Sequence, residues 1–257
     1  MDRSLRDMPF GRLVQEDAEL AALRREYATE SAEHRRAAAM FSYDASAAGE
    51  MFGQAVLRAT GDREWLDREK PGAGAVAALA IDPTCAPAML TVGSMEYQLG
   101  RADEALELFL GLAAPPEDTE DLAEIIDKAG GFLAEEGNYV HGEKLYAEAA
   151  RQHPDVALYH DGLGYCAGKL GKLQAAVDHS RRAVELSPRD HELLGNLGWA
   201  LVEAGSYDEA EDVLKRAVDL SPKGHDRARH NLQECRRRRQ AALDRKQWRP
   251  KDARDGE

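Results

Sequence analysis

Residues 191–224 of this 257-residue chain have the sequence HELLGNLGWALVEAGSYDEAEDVLKRAVDLSPKG. The stretch AVDLSP at 217–222 repeats AVELSP at 183–188 after a step of 34 residues. Glycines keep the same step in two columns: Gly130, Gly164 and Gly198 form one, and Gly137, Gly171 and Gly205 form the other. A fixed step of 34 residues is the length of a helix–turn–helix unit that stacks on its neighbours to form a solenoid.

The spacing of apolar and small residues explains why such units stack. Leu194, Leu197 and Leu201 are three and four residues apart, which places them on one helical face. We expect Gly198 and Ala210 to mark the closest approach of the two helices, because a larger side chain would push them apart. The second glycine column opens the turn between helices. No unit can bury its apolar face alone, so neighbouring units must pack together.

These residues resemble the tetratricopeptide repeat family. Its pattern has Leu-Gly at places 7 and 8, alanine at 20 and 27, a large residue at 24 and proline at 32. The unit at 191–224 matches nearly throughout. The unit at 157–190 has polar His160 and Ser180 where bulk is usual, and the unit at 123–156 has Gly142 in place of alanine. A fourth unit lies upstream, so the resemblance covers about 86–224.

The sequence therefore predicts an all-α protein, and abundant Ala, Leu, Glu and Arg favour helix throughout. The resemblance implies a right-handed α-solenoid of stacked helix–turn–helix repeats with N- and C-terminal capping helices. We expect an N-terminal helical region at 1–49, a degenerate repeat at 50–84, four repeats at 86–224, a C-terminal capping helix at 225–246 and a disordered basic tail at 247–257. Within the first part, the pattern predicts one long helix over 13–40 and another over 45–59.

Charge is unevenly spread along the chain. The formal net charge is −13. Residues 1–222 carry 22 basic and 41 acidic side chains, whereas residues 223–257 carry 12 basic and 6 acidic ones. An acidic body repels phosphate, so nucleic acid is not an expected partner of the body but could bind the tail.

Cysteine usage and the apolar stretches predict a cytoplasmic protein. Cys85, Cys166 and Cys235 are far apart, odd in number and without a C-x-x-C pair, so neither a disulfide framework nor a zinc ribbon is expected. The first residues lack the apolar core of a signal peptide. No apolar stretch approaches the roughly 20 residues that span a bilayer.

Motifs that could carry catalysis are weak. Residues 72–77 fit the letters of a dinucleotide-binding G-x-G-x-x-A loop, but a charged stretch rather than a buried strand precedes them, so we interpret them as a flexible break before a short helix. Residues 164–168 have the spacing of a nucleophile elbow around Cys166, but they lie inside a predicted helix. The histidines show no metal-ligand spacing, and the acidic pairs lie at turns. We predict no enzyme, no cofactor and no metal site.

The resemblance implies a protein-binding groove lined by places 2, 5, 9, 12 and 13 of each first helix. We predict that the following residues line it: Glu124, Asp127, Glu135, Leu158, Asp161, Tyr165, Lys169, Glu192, Trp199, Val202 and Glu203. Tyr165 and Trp199 share place 9 of consecutive units and could anchor a bound chain; alternatively, they only pack between units. Family members that clamp a C-terminal carboxylate use Lys, Arg and Asn at places 2, 5, 6 and 9. At place 5 this chain has Leu90, Asp127, Asp161 and Gly195 in turn, so that clamp is not expected.

The predicted function is that of a non-enzymatic protein–protein interaction scaffold or adaptor. Because the groove is acidic, we expect a basic partner segment and binding that weakens with salt. The possible anion-binding residues Arg236, Arg237, Arg238 and Arg239 support an alternative, an accessory protein that binds nucleic acid or an anionic membrane. A second alternative is an enzyme with a site hidden in 1–84. The Arg-rich tail could also compete for the groove, in which case deleting 236–257 would raise affinity for a basic ligand.

Overall fold

A computed structural model describes residues 22, 25–31, 34–39, 70–114, 121–222 and 226–247. From residue 70 onward, the described residues form ten α-helices. The helices are α1 Lys70–Ile81, α2 Ala86–Gln98, α3 Ala102–Gly111, α4 Leu122–Glu135, α5 Tyr139–Gln152, α6 Ala157–Lys169, α7 Leu173–Leu186, α8 His191–Glu203, α9 Tyr207–Leu220 and α10 Arg227–Gln247. The predicted all-α fold is confirmed. The chain divides into two compact units, Met1–Glu136 and Gly137–Glu257.

In the first unit, α2 and α3 form a helical hairpin, and both α1 and α4 pack against α2. A Cβ atom on Gly93 would lie 2.5 Å from the ring of Phe109, so the glycine lets α3 approach α2 closely. The Phe132 ring of α4 meets the Tyr97 ring edge-on at a centroid distance of 5.5 Å. The described part of this unit therefore contains a closely packed hairpin of α2 and α3, with aromatic contacts to α4.

In the second unit, each of the helices α5 to α9 packs against the helix that follows it. In addition, α6 contacts α8 and α8 contacts α10, so these three helices form one row. Helices α6 and α7 form one hairpin, and α8 and α9 form the next. Helix α10 thus occupies the place that the first helix of a further repeat would take, and it is the last helix of this row among the described residues.

Both glycine columns have the structural roles that the repeat pattern predicts. At the close approach, a Cβ atom on Gly198 would lie 2.4 Å from the Cγ atom of Leu214, and one on Gly164 would lie 2.5 Å from the Ser180 hydroxyl. In the turns, Gly171 and Gly205 have φ angles of +74° and +79°, a left-handed conformation that strains other residues. The predicted helix–turn–helix repeat is confirmed.

Two predictions near the N-terminus need correction. Residues 72–77 do not form a flexible break but lie inside α1, where alanine surrounds the glycines and favours helix. The single helix predicted over 13–40 is interrupted, because residues 28–31 form a turn between helical residues 25–27 and 34–39. The hydroxyl of Ser31 accepts a hydrogen bond from the backbone N–H of His34 at 3.2 Å, which caps the second helical segment. The helix predicted at 45–59 lies outside the described residues.

Helix α10 spans Arg227–Gln247, where the sequence predicts a capping helix at 225–246. After Arg239, α10 continues for about two more turns to Gln247. The arginines therefore lie in the middle of α10, opposite the carboxylates of α8 and α9. Residues 248–257, most of the predicted disordered tail, lie outside the described part of the chain.

Candidate protein-binding cleft

The row formed by α6, α8 and α10 borders a cleft with a volume of about 500 Å³ in the second unit. Helix α7 forms its floor, since it packs behind α6 and α8. The cleft is lined by Asp161, Gly164, Tyr165, Gly168 and Lys169 of α6, by Leu173, Ala176 and Ser180 of α7, by Asn196, Trp199, Ala200 and Glu203 of α8, and by Arg227 and Asn231 of α10. A cavity of this size is large enough for several side chains of a bound segment.

Small residues at the helix crossing create the depth of the cleft. Ser180 occupies the place that Leu214 occupies in the next repeat. Leu214 is fully buried against Gly198 and fills the equivalent space there. In the 157–190 repeat, the shorter Ser180 side chain takes that place and contributes to the lining of the cleft. The departure from the repeat pattern at Ser180 therefore has a structural consequence, namely a pocket between two hairpins.

Tyr165 is the most exposed aromatic residue at the cleft. Its exposed fraction is 51%, which is high for a large aromatic side chain. The ring of Tyr139 from α5 meets its ring edge-on at a centroid distance of 6.3 Å. The Lys169 ammonium lies 5.4 Å from the ring centroid of Tyr165 on the same helix. The ring is thus held in place by neighbours and remains accessible, as a binding anchor requires.

A polar ladder crosses the three helices of the row. The side-chain amide of Asn196 in α8 donates hydrogen bonds to both carboxylate oxygens of Asp161 in α6, at 3.0 and 2.9 Å. Arg227 of α10 donates to the amide oxygen of Asn196 at 3.1 Å. The ladder fixes the spacing between α6, α8 and α10 on the cleft side. It also engages the Asp161 carboxylate, which weakens the attraction of Asp161 for an incoming cation.

Trp199 is half-buried, and Arg238 from α10 covers one face of its ring. The guanidinium carbon lies 4.9 Å from the ring centroid, within the range of a cation–π contact. Arg238 also donates to the Glu203 carboxylate at 2.7 Å and to the Glu234 carboxylate at 2.8 Å. Trp199 therefore packs between repeats on one side of its ring, as the first alternative predicts. Its other side contacts a cation at the cleft, as a binding residue would.

All four arginines of the run Arg236–Arg239 in α10 form ion pairs with carboxylates of this chain. Arg236 pairs with Glu211 at 3.0 Å, and Arg239 pairs with the same carboxylate at 3.1 Å. Arg237 and Arg238 both bond to Glu234, and these hydrogen bonds, that of Arg237 foremost, lower the Glu234 pKa to about 2. The positive charge of the predicted anion site is therefore compensated within the fold.

The structure brings five of the predicted groove residues to the cleft. These are Asp161, Tyr165, Lys169, Trp199 and Glu203. Leu158 is half-buried and Glu192 is exposed, but neither lines the cleft. The prediction for Val202 is wrong, because its side chain is only 1% exposed and belongs to the apolar core around α8 and α9.

The remaining predicted groove residues lie on α4 of the first unit. Glu124 and Glu135 are exposed, and Asp127 is half-buried. Lys128 bonds to Glu124 at 2.8 Å, and this hydrogen bond lowers the pKa of the Glu124 carboxyl. Their contribution to a binding surface stays a prediction.

Sequence reasoning missed the cleft residues that lie outside the first helices of the two repeats. Ser180 and Ala176 belong to a second helix, and Arg227 and Asn231 belong to the capping helix. Two signals could have found some of them. Ser180 departs from the repeat pattern, and Asn231-Leu232 repeats Asn196-Leu197 after 35 residues. This repetition of Asn-Leu aligns α10 with the first helices of the repeats.

Two kinds of reactive site can be checked in the described residues, a metal site and a nucleophile at Cys166. Within the described ranges, no group of three or more His, Cys, Asp or Glu could hold a metal ion. Cys166 lies inside α6 and is fully buried, and burial raises the pKa of its thiol to about 11. Such a thiol is a poor nucleophile at neutral pH. Where the structure describes the chain, no helix combines the length and apolar character that crossing a bilayer requires.

The tetratricopeptide repeat model matches this chain twice, over residues 133–190 and 167–225. Residues 133–225 belong to the tetratricopeptide repeat family. The matched range contains all of α5 to α9 and thus both hairpins that border the cleft. Tetratricopeptide repeats generally serve as protein-interaction scaffolds. A comparison with curated proteins found no match.

Solved structures of other tetratricopeptide repeat proteins are similar to this chain. The Sgt2 repeat domain from Aspergillus fumigatus is 16% identical over 55% of this chain and 96% of its own, with a TM-score of 0.47. YrrB, described as having an unusual peptide-binding site, is 20% identical over 66% of this chain and 86% of its own, with a TM-score of 0.47. PilF of Pseudomonas aeruginosa is 18% identical over 78% and 92%, with a TM-score of 0.46.

Proposed function

We propose that this chain is a non-enzymatic scaffold that binds a segment of another protein in the cleft between α6, α8 and α10. The observation that carries the proposal is the half-exposed Tyr165 ring at the edge of a 500 Å³ cleft. Aromatic anchors beside a concave surface provide much of the binding energy in protein interfaces. Small side chains in the floor leave room for a side chain of the partner.

The partner segment is basic in this proposal. In the lining of the cleft itself, the two carboxylates of Asp161 and Glu203 are matched by the two cations of Lys169 and Arg227, so the preference for a basic segment rests on the charge of the whole chain. The chain as a whole has a formal net charge of −13, which attracts a cationic segment over a longer range. Binding should therefore weaken as salt rises, because exposed charges are screened.

Site-specific photo-crosslinking in cells tests this proposal. In the full chain, the photoreactive residue p-benzoylphenylalanine replaces Tyr165 beside the cleft. In the control, it replaces Leu220 of α9, which is 38% exposed and does not line the cleft. We expect the Tyr165 probe to crosslink a recurrent segment rich in Lys and Arg, with a yield that falls at high salt. The Leu220 probe should not capture it. Equal capture at both positions would contradict cleft binding, and a recurrent acidic segment would contradict the basic preference.

The alternative function through the arginines of α10 has less support. Each of these arginines already pairs with a carboxylate of the chain. Binding of phosphate groups would have to compete with these pairs, and the surrounding acidic side chains would repel them. The cytoplasmic location remains a prediction from the sequence.

A further inference from the structure

The second aromatic residue of the cleft has an environment different from that of Tyr165. Places 9 and 13 of a repeat are four residues apart, so their side chains share one helical face. In the earlier repeat these places hold Tyr165 and Lys169, and the lysine supplies a cation to the ring from the same helix. In the next repeat they hold Trp199 and Glu203, so a carboxylate lies beside the ring instead of a cation.

An aromatic face beside a carboxylate is suited to a guanidinium group. The planar cation can stack on the indole while its N–H groups donate to the carboxylate. Arg238 makes both contacts in the structure, at 4.9 Å to the ring centroid and 2.7 Å to Glu203. The chain itself thus shows which chemical group this position accepts.

We infer that Trp199 and Glu203 form an arginine-binding subsite of the cleft, which Arg238 occupies until an arginine of the partner replaces it. This inference rests on the proposed function, since it names the side chain that a basic partner inserts. It also assigns Arg238 the role of an internal competitor.

Exchange of the two arginines is structurally feasible. The Arg238 side chain is 36% exposed, and it also bonds to Glu234 of its own helix. It can therefore leave Glu203 and keep an ion pair. Helix α10 need not move, because the buried residues Ala228 and Cys235 anchor it to the unit independently of Arg238.

Chemical complementation tests the subsite without any protein partner. Trp199 is made the sole tryptophan by Trp65→Phe and Trp248→Phe, and its fluorescence is followed in the full chain. Arg238→Ala removes the internal competitor. Arg236→Ala is the matched control, because it removes the same charge from the same helix but pairs with Glu211 instead of contacting Trp199 and Glu203. The probe is N-acetylarginine amide, and its uncharged isostere N-acetylcitrulline amide is the control ligand.

We expect Arg238→Ala to expose the indole and shift its emission to the red, and the arginine amide to reverse the shift with a dissociation constant on the order of 1–10 mM. The Arg236→Ala protein and the parent should respond at least tenfold more weakly at the same probe concentration. The citrulline amide should have no effect, and Glu203→Gln should abolish the response in the Arg238→Ala protein.

A response of equal size in the parent and in the Arg238→Ala protein would overturn the inference, as would the absence of any response in a folded Arg238→Ala protein. Circular dichroism establishes folding, and Arg238→Gln, which keeps part of the side-chain stem, replaces the alanine variant if that variant unfolds. Failure of the proposed function is distinguishable. In that case the Tyr165 probe captures no recurrent segment, whereas the arginine amide still titrates Trp199.

Discussion

At the scale of single residues, Ser180 decides whether this repeat has a pocket. Its side chain is 3% exposed and faces Gly164, as Leu214 faces Gly198 in the next repeat. The two hairpins differ here by one side chain of the second helix. A functional cleft can therefore arise in a repeat array without any change in the helical framework.

The first prediction is that Ser180→Leu closes the cleft and keeps the fold. The leucine should adopt the position that Leu214 has over Gly198, and burial of its apolar atoms should contribute up to about 2 kcal/mol of stability. Urea denaturation should show a free energy of unfolding equal to or higher than that of the parent. Crosslinking from the Tyr165 probe should fall at least fivefold. Destabilisation by more than about 2 kcal/mol would show that Gly164 alone cannot accommodate the larger side chain.

At the scale of helices, the sequence predicts the hairpins well because their rules are local. Helices α5 to α9 follow from three sequence features: the step of 34 residues, the two glycine columns and the alanines where helices approach closely. The partner of Arg238 could not be predicted in this way. Its contact with Trp199 depends on how α10 packs across α8, and the contacting residues are separated by 39 positions. The repeat pattern assigns Val202 to a groove position on the first helix. The pattern alone does not show which of these positions a neighbouring helix buries, and Val202 is one that is buried.

The second prediction compares two glycines of α8 that differ in their surroundings. A Cβ atom on Gly198 would lie 2.4 Å from Leu214, whereas one on Gly195 would meet nothing within 4 Å. Gly198→Ala should therefore lower the free energy of unfolding by about 1–3 kcal/mol, since Leu214 is fully buried and has little room to shift. Gly195→Ala should raise it by about 0.5–1 kcal/mol through helix propensity.

Urea denaturation of both variants and the parent measures the difference. Both replacements add the same methyl group to the same helix, so propensity alone would stabilise them equally. Equal stability of the two variants would contradict the close approach of α8 and α9 at Gly198.

At the scale of the whole molecule, the fold brings basic side chains from the C-terminal region next to acidic side chains from the rest of the chain. Residues 223–257 are basic and residues 1–222 are acidic. In the second unit, α10 brings arginines next to Glu203, Asp208 and Glu211, so opposite charges from the two regions meet at its surface. The sequence asymmetry therefore does not translate into a separate basic surface at these arginines.

The third prediction is that this chain binds neither nucleic acid nor anionic membranes through α10. Fluorescence anisotropy with labelled single-stranded RNA and with duplex DNA should show no saturable binding at about 0.15 M salt, because phosphate would have to displace carboxylates already paired with the arginines. Sedimentation with phosphatidylserine vesicles should leave the protein in the supernatant. Replacing Arg236–Arg239 together by alanine should change neither result. Salt-dependent binding that disappears in this variant would instead favour the accessory role. The free energy gained from released counterions would then exceed the free energy of the internal ion pairs, because each surface pair contributes only about 0–1 kcal/mol.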